Sequence, residues 1–490
     1  MKTNNTLLFI AFICFVAACS NQPEGVIVNE NQIAKIVPDY SEITIPVNIA
    51  PLNFFIEEAG DAFFVEIKGS EGNSLTVSSA NGTIKFPEKK WKKWLKANQN
   101  STIAYYIYVK RDGKWKQFKT FENKVSDAEI DPYLYYRLLF PGYESWSEIK
   151  IVQRSLDSFH EKSVIENNVV EQNCVNCHSF NQQNTGNFMF HMRGSLGGTY
   201  FLKDGELEKF DLKTKEMQSN ATYARWHPSG KYIAYSTNKV VQQFHSVEDK
   251  KIEVSDLSSS LVLYDFEKNE MMRIPVDESE QFMDTYPEWS PDGKTLYFCR
   301  APKIAEVYDY KEINYNLCEV SFNADTRKFG EPKIIFNAAA EGKSVSFPRV
   351  SPDGKSLVFT YHNYGVFSIW HKDADLYSIN LKDLSVKKME NLNSDFTESY
   401  HSWSANGKWL IFSSKRDDGL TARPYISFVD ENGITRKPFV LPQEDPGFYN
   451  TFDKTFNIPE FAKTEVSFGP GEIRKAAEKE AVKVTWSNNL

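Results

Sequence analysis

The sequence predicts a mainly β chain: a β-propeller, preceded by a small β-sandwich and a short helical segment. Three observations predict it. One phrase recurs four times, as RWHPSGKYIAYST from Arg225, EWSPDGKTLYFCR from Glu288, RVSPDGKSLVFTY from Arg349 and SWSANGKWLIFSS from Ser402. Its anchor residues Trp226, Trp289, Val350 and Trp403 fall about 50–65 residues apart, the period of a propeller blade. Aromatic residues make up 14% of the chain, and Gly and Pro recur in short turns, as in an all-β protein rich in hairpins.

Residues 1–18 form the first element. Leu7 to Ala18 is an apolar run too short to span a bilayer comfortably, and it follows a weakly basic start, the pattern of an export signal. It ends in Val16-Ala17-Ala18-Cys19, followed by polar Ser20-Asn21-Gln22. This resembles the lipobox of bacterial lipoproteins. The resemblance implies that Cys19 becomes the first mature residue and carries lipid, anchoring the protein to a membrane surface without spanning it. The expected place is therefore the cell envelope, on the periplasmic or surface side of an outer membrane. Residues 19–39 read as a linker.

Residues 40–123 alternate in short strands, ITIPVNI, FFVEIKG, LTVSSANGTIKF and IAYYIYVKRDGKWKQFKTF, and predict an immunoglobulin- or fibronectin-like sandwich. Between them, Trp91 and Trp94 in EKKWKKWLK predict one amphipathic turn that packs both indoles on the sandwich. Residues 124–185 change texture. Tyr133, Tyr136, Leu138 and Leu139, then Ile149, Ile151, Leu156 and Phe159, have helical spacing and predict a short helical segment.

Within that segment lies Cys174-Val175-Asn176-Cys177-His178. C-x-x-C-H is the attachment signal of a c-type haem: two thiols add to the vinyl groups of one porphyrin, and the histidine binds the iron from below. A zinc site needs a second ligand pair, and no other C-x-x-C or H-x-x-H occurs. A redox dithiol opens a helix in a βαβ unit, and no such unit surrounds it. The expected cofactor is covalent haem c on Cys174 and Cys177, with His178 as fifth ligand. Candidates for the sixth lie downstream in FMFHMRG. Phe188, Phe190 and Met192 share one strand face and Met189 and His191 the other, so His191 is the first candidate and Met189 the second. The alternative is another ligand or an open position.

From residue 186 to 462 the repeats take over. Pro fixes φ in the Ser-Pro-Asp-Gly turn, Asp bonds back to the backbone, and Gly supplies a positive φ. The strand that follows alternates apolar and polar. These repeats strongly resemble those of the TolB family. The resemblance implies a closed propeller of five or six four-stranded blades. FMFHMRG and TYFLKDGELEKFDLKT supply a further blade, and PYISFVDENGITRKPFVLP closes the last complete one. His227 and Ala405-Asn406 depart from the family's turn but keep a turn. Residues 463–490 read as a tail.

Net charge is −8, which gives no nucleic-acid surface. No G-x-S-x-G, H-E-x-x-H or P-loop is present. Cys299 and Cys318 fall in neighbouring predicted strands, LYFCR and NLCEV. In an oxidising compartment they pair as a disulfide, or else stay as two buried thiols. Two functions fit: a lipid-anchored electron carrier whose propeller docks a redox partner, or an envelope binding or scaffold protein in which haem is structural or sensory.

Overall fold

The computed structural model describes residues 22–487, apart from 143–144, 170–172, 204, 248–249 and 278; the expected export signal, residues 1–18, and Cys19 lie outside the described residues. The repeated turn sets the local geometry. The hydroxyls of Ser290, Ser351 and Ser404 donate to Asp292, Asp353 and Asn406 at 2.6, 2.6 and 2.7 Å, and each accepts the amide that opens the next strand. Gly293, Gly354 and Gly407 close these turns at φ of 71°, 70° and 67°, a conformation costly for any residue with a Cβ. The anchor indoles join neighbouring repeats. Trp289 Nε1 donates to the carbonyl of Arg225, and Trp403 Nε1 to that of Arg349, both at 3.2 Å.

The chain builds six blades of four or five strands each. Their innermost strands are Thr455–Ala462, Asn173–Asn181, Ala221–Trp226, Phe282–Trp289, Ser344–Val350 and Glu398–Trp403, for blades 1 to 6 in that order. Each lies beside the next, and the sixth lies beside the first, so the ring is closed. Closure joins the first and the last strands of the propeller stretch in one blade. Thr455–Ala462 pairs antiparallel with Tyr133–Leu139, and Lys150–Ser155 and Glu161–Glu166 complete blade 1.

The propeller thus begins at residue 133, not 186, and the expected helical segment 124–185 is a correction. It holds the three N-terminal strands of blade 1 and the inner strand of blade 2, and among its described residues the helical content is the 3-10 turn Trp146–Glu148. The misreading has a physical cause. Leu134 to Leu139 are all buried, because this strand has neighbours on both faces and so shows no alternation.

The tail is also ordered. Helix Pro470–Glu478 buries Ile473, Ala476 and Ala477. Val482–Lys483 and Thr485–Trp486 then add parallel fifth strands to blades 2 and 3.

The N-terminal module has the expected two sheets, seven- and three-stranded. Part of the expected linker belongs to it, since Ile27–Asn29 pairs parallel with Lys114–Gln117. The EKKWKKWLK stretch is a full helix, Glu88–Ala97, with Trp91 and Trp94 buried. The core of this module runs without a break into blade 6, joining Trp91 and Tyr105 to Trp409 and Phe439.

Of the two alternatives open for Cys299 and Cys318, the structure has the buried free thiols and not the disulfide. Their strands do pair, but Cys299 lies opposite Leu317 and Cys318 opposite Phe298. The one-residue offset turns the thiols to opposite faces, into separate cores.

Candidate functional site

Five inner strands carry the same irregularity. Tyr223, Tyr286, Phe347, Tyr400 and Ile458 have φ between 49° and 57°, and in the four central repeats the pairing register slips by one residue there. Two residues further on stand Arg225, Glu288, Arg349, Ser402 and Glu460. A bulge re-aims side chains, and here it brings residues from successive blades to one mouth of the channel, beside the repeated turns. They line a cavity of about 280 Å³, walled by Trp226, Trp289 and Trp403.

Glu288 sits between two guanidinium groups, 2.5 Å from Arg225 Nε and 3.5 Å from Arg349 Nη1. Glu460 lies 3.7 Å from Arg225 Nη1 and 3.9 Å from His178 Nε2. Burial pushes the Glu460 carboxyl up to about 7 against the pull of Arg225 and Arg349. Burial, then Arg225, lowers Arg349 to about 9. Two cations therefore share one well-placed carboxylate, and the second carboxyl is held near neutrality. The sequence carried a signal for this cluster: the residue directly before each anchor runs Arg225, Glu288, Arg349, Ser402.

The C-x-x-C-H residues lie on the inner strand of blade 2. Its register with the next strand, Asn176 opposite His191 and His178 opposite Phe190, slips by one residue at position 177. The same slip in blade 6 makes His178-Ser179-Phe180 the counterpart of His401-Ser402-Trp403. Both histidines are buried, and burial lowers each to about 3. His178 stacks edge-on against Phe180 at 5.8 Å on the side of blade 1. Cys174 pairs with Arg193 on the opposite face, which His191 and Met189 share. Met189 is buried against blade 3. His191 Nδ1 lies 3.2 Å from Thr199 Oγ1, and burial, then Arg193, lowers its ring to about 4.

The fifth and sixth ligands expected for iron thus face opposite sides of one sheet, as do Cys174 and His178. This arrangement does not present them to a single porphyrin. His178 Nε2 and His191 Nε2 are each buried without a hydrogen-bond partner. Among the described residues no group of three or more His, Cys, Asp or Glu side chains is placed to hold a metal, and no helix is long and apolar enough to cross a membrane.

No protein-family model matches the chain, and no curated protein does. Solved structures similar to it include a hypothetical selenium-binding protein from Sulfolobus tokodaii, at 8% identity and a TM-score of 0.40, covering 70% of this chain and 96% of that one. An oligogalacturonate lyase in complex with manganese is similar at 12% identity and a TM-score of 0.36, covering 63% and 72%. A prolyl oligopeptidase B from Galerina marginata is similar at 11% identity and a TM-score of 0.35, covering 69% of this chain but 43% of that one.

Proposed function

We propose that this chain is an exported, lipid-anchored binding propeller of the cell envelope. Its site is the turn-side mouth of the channel, and its ligand is a partner protein that inserts an anionic group, a carboxylate in the first instance. One observation carries the reading: Arg349 is buried at the cavity with a neighbouring cation and a carboxylate it must share. An entering carboxylate relieves that imbalance by a charge-assisted, fork-shaped bond. Export and anchoring rest on residues 1–18 and Cys19.

Trp226, Trp289 and Trp403 line the cavity and report the test. Short peptides with a free C-terminus should change tryptophan emission on titration, their C-terminally amidated forms should not, and Arg349→Gln should abolish the response. Equal responses to both peptide forms would remove the carboxylate from the proposal.

A second reading rests on Cys174, Cys177 and His178. In it the chain is a c-type cytochrome lipoprotein that carries one electron, with the propeller as docking platform for a redox partner. The motif favours it, and the two unpartnered imidazole nitrogens are where ligands were expected. It requires the inner strand of blade 2 to adopt another conformation. A haem-sized adduct on the denatured mature protein, with a reversible optical spectrum, supports this reading. An unmodified mass from a host with active c-type maturation removes it. If the adduct is present, His191→Ala should turn the iron high-spin, whereas Met189→Ala should not.

A further inference from the structure

One residue breaks the aromatic pattern at the channel mouth. The position three residues past the bulge is aromatic in five blades: Phe461 in blade 1, Phe180 in blade 2, and Trp226, Trp289 and Trp403 in blades 3, 4 and 6. In blade 5 it is Val350, directly after Arg349.

The indoles show what this position does when it carries a large ring. Trp289 stands edge-on to His227, the first residue of the turn in the preceding blade, with ring centroids 4.9 Å apart, and packs on Phe322 at 5.0 Å. Its Nε1, like that of Trp403, is tied to a carbonyl of the preceding inner strand. An indole here fills the seam between two blades from the core up to the turn. Val350 stops short of that. It reaches the core shared by blades 4 and 5, with Phe347 and Leu357. The residue that matches His227 across this seam is Ser290. Of the first turn residues His227, Ser290, Ser351 and Ser404, Ser290 alone lines the 280 Å³ cavity, together with Pro291, Val350 and Pro352. The cavity therefore runs into the seam between blades 4 and 5, beside Arg349, where a smaller side chain leaves it room.

We propose that this seam is the specificity pocket of the site: it receives a large apolar side chain, of leucine or phenylalanine size, from the same C-terminal residue whose carboxylate pairs with Arg349. The inference rests on the carboxylate reading above and adds the class of residue that carries the group. Arg349 and Val350 are consecutive, so a cation and an apolar surface meet the ligand within the span of one amino acid. The cavity is at the small end for a ligand site, which suits one terminal residue better than a long segment. The bonded indoles of Trp289 and Trp403 hold its walls in place before the ligand arrives, which limits the ordering cost of binding.

Calorimetric titration of the full-length mature protein with acetyl-Gly-Gly-X peptides, each with a free C-terminus, tests the proposal. Peptides ending in Phe or Leu should bind about tenfold more tightly than those ending in Gly or Ser, the lower end of what burying one such side chain gives. Val350→Trp repeats the residue of blades 4 and 6 and fills the seam. It should erase that difference and leave the affinity for the Gly peptide as it was. Val350→Ala enlarges the seam instead, should extend the preference to a terminal Trp, and serves if Val350→Trp does not fold. Free acids that bind alike whatever their last residue overturn the pocket and leave the carboxylate reading standing. A preference that survives in folded Val350→Trp overturns its placement at Val350. Absence of binding by every free acid overturns the carboxylate reading and the pocket together.

Discussion

Glu288 does the most with one side chain. It holds the buried guanidinium group of Arg349 and the half-buried one of Arg225, and a buried cation whose partner is removed costs far more than the pair gains. Glu288→Gln should therefore destabilise the protein by about 3–5 kcal/mol, read as a shift of the urea midpoint at constant slope. Glu460 makes the opposite contribution. Its folded pKa is raised to about 7, so the folded state holds the proton more tightly than the unfolded chain. Its term is most favourable below the ordinary carboxylate range and is lost as pH rises toward 7. Glu460→Gln should remove that loss. The stability of the variant relative to the native protein should grow from pH 5 to 8 and then level off, and a difference independent of pH would show that Glu460 is ionised throughout. The cluster was half legible in the sequence. The charges stand in the repeats, but their convergence depends on the bulges at Tyr223, Tyr286 and Phe347, which no alternation pattern reports.

At the scale of the element, the turns were legible because Ser, Pro, Asp and Gly each act locally. The inner strand of blade 2 was not. Its Cys and His residues form a motif defined by chemistry, and nothing in the sequence marks the segment as a sixth copy of the inner strand. That likeness rests on register and on His178 matching His401. Likewise, strand Tyr133–Leu139 finds its innermost partner more than 300 residues away, beyond any local pattern. Pairing of neighbouring strands left a Cys299–Cys318 bridge open as one of two alternatives, and an offset of one residue prevents it. Denatured, unreduced protein should accordingly be alkylated at both positions; thiols that react only after reduction would restore the bridge. The N-terminal helix gives a further test. Trp91 is buried and donates from Nε1 to the carbonyl of Ile49 at 3.0 Å, so Trp91→Ala should cost about 3–5 kcal/mol in the same urea experiment.

The whole molecule is a ring, and a ring depends on how it closes. The repeats announced a propeller, but the count of six blades needs blade 1, which has no copy of the repeated phrase and is assembled from the first and last strands of the propeller stretch. Thr455–Ala462 supplies its inner strand, the bulge at Ile458 and the carboxyl of Glu460. The segments after it contribute less. Val482–Lys483 and Thr485–Trp486 are largely exposed edge strands, tied by bonds such as Val484 N–H to the Asp211 carbonyl at 3.3 Å. Two truncations separate these roles. A chain ending at residue 479 should keep one cooperative transition and lose about 1–3 kcal/mol, the worth of a few exposed backbone bonds. A chain ending at residue 454 leaves Tyr133–Leu139 with an open edge and blades 2 and 6 without their shared neighbour. It should lose the single transition and expose its edge to association with other chains. If it instead unfolded in one step at the native midpoint, the ring would close without its C-terminal strand, and the channel-mouth cluster would have to form without Glu460.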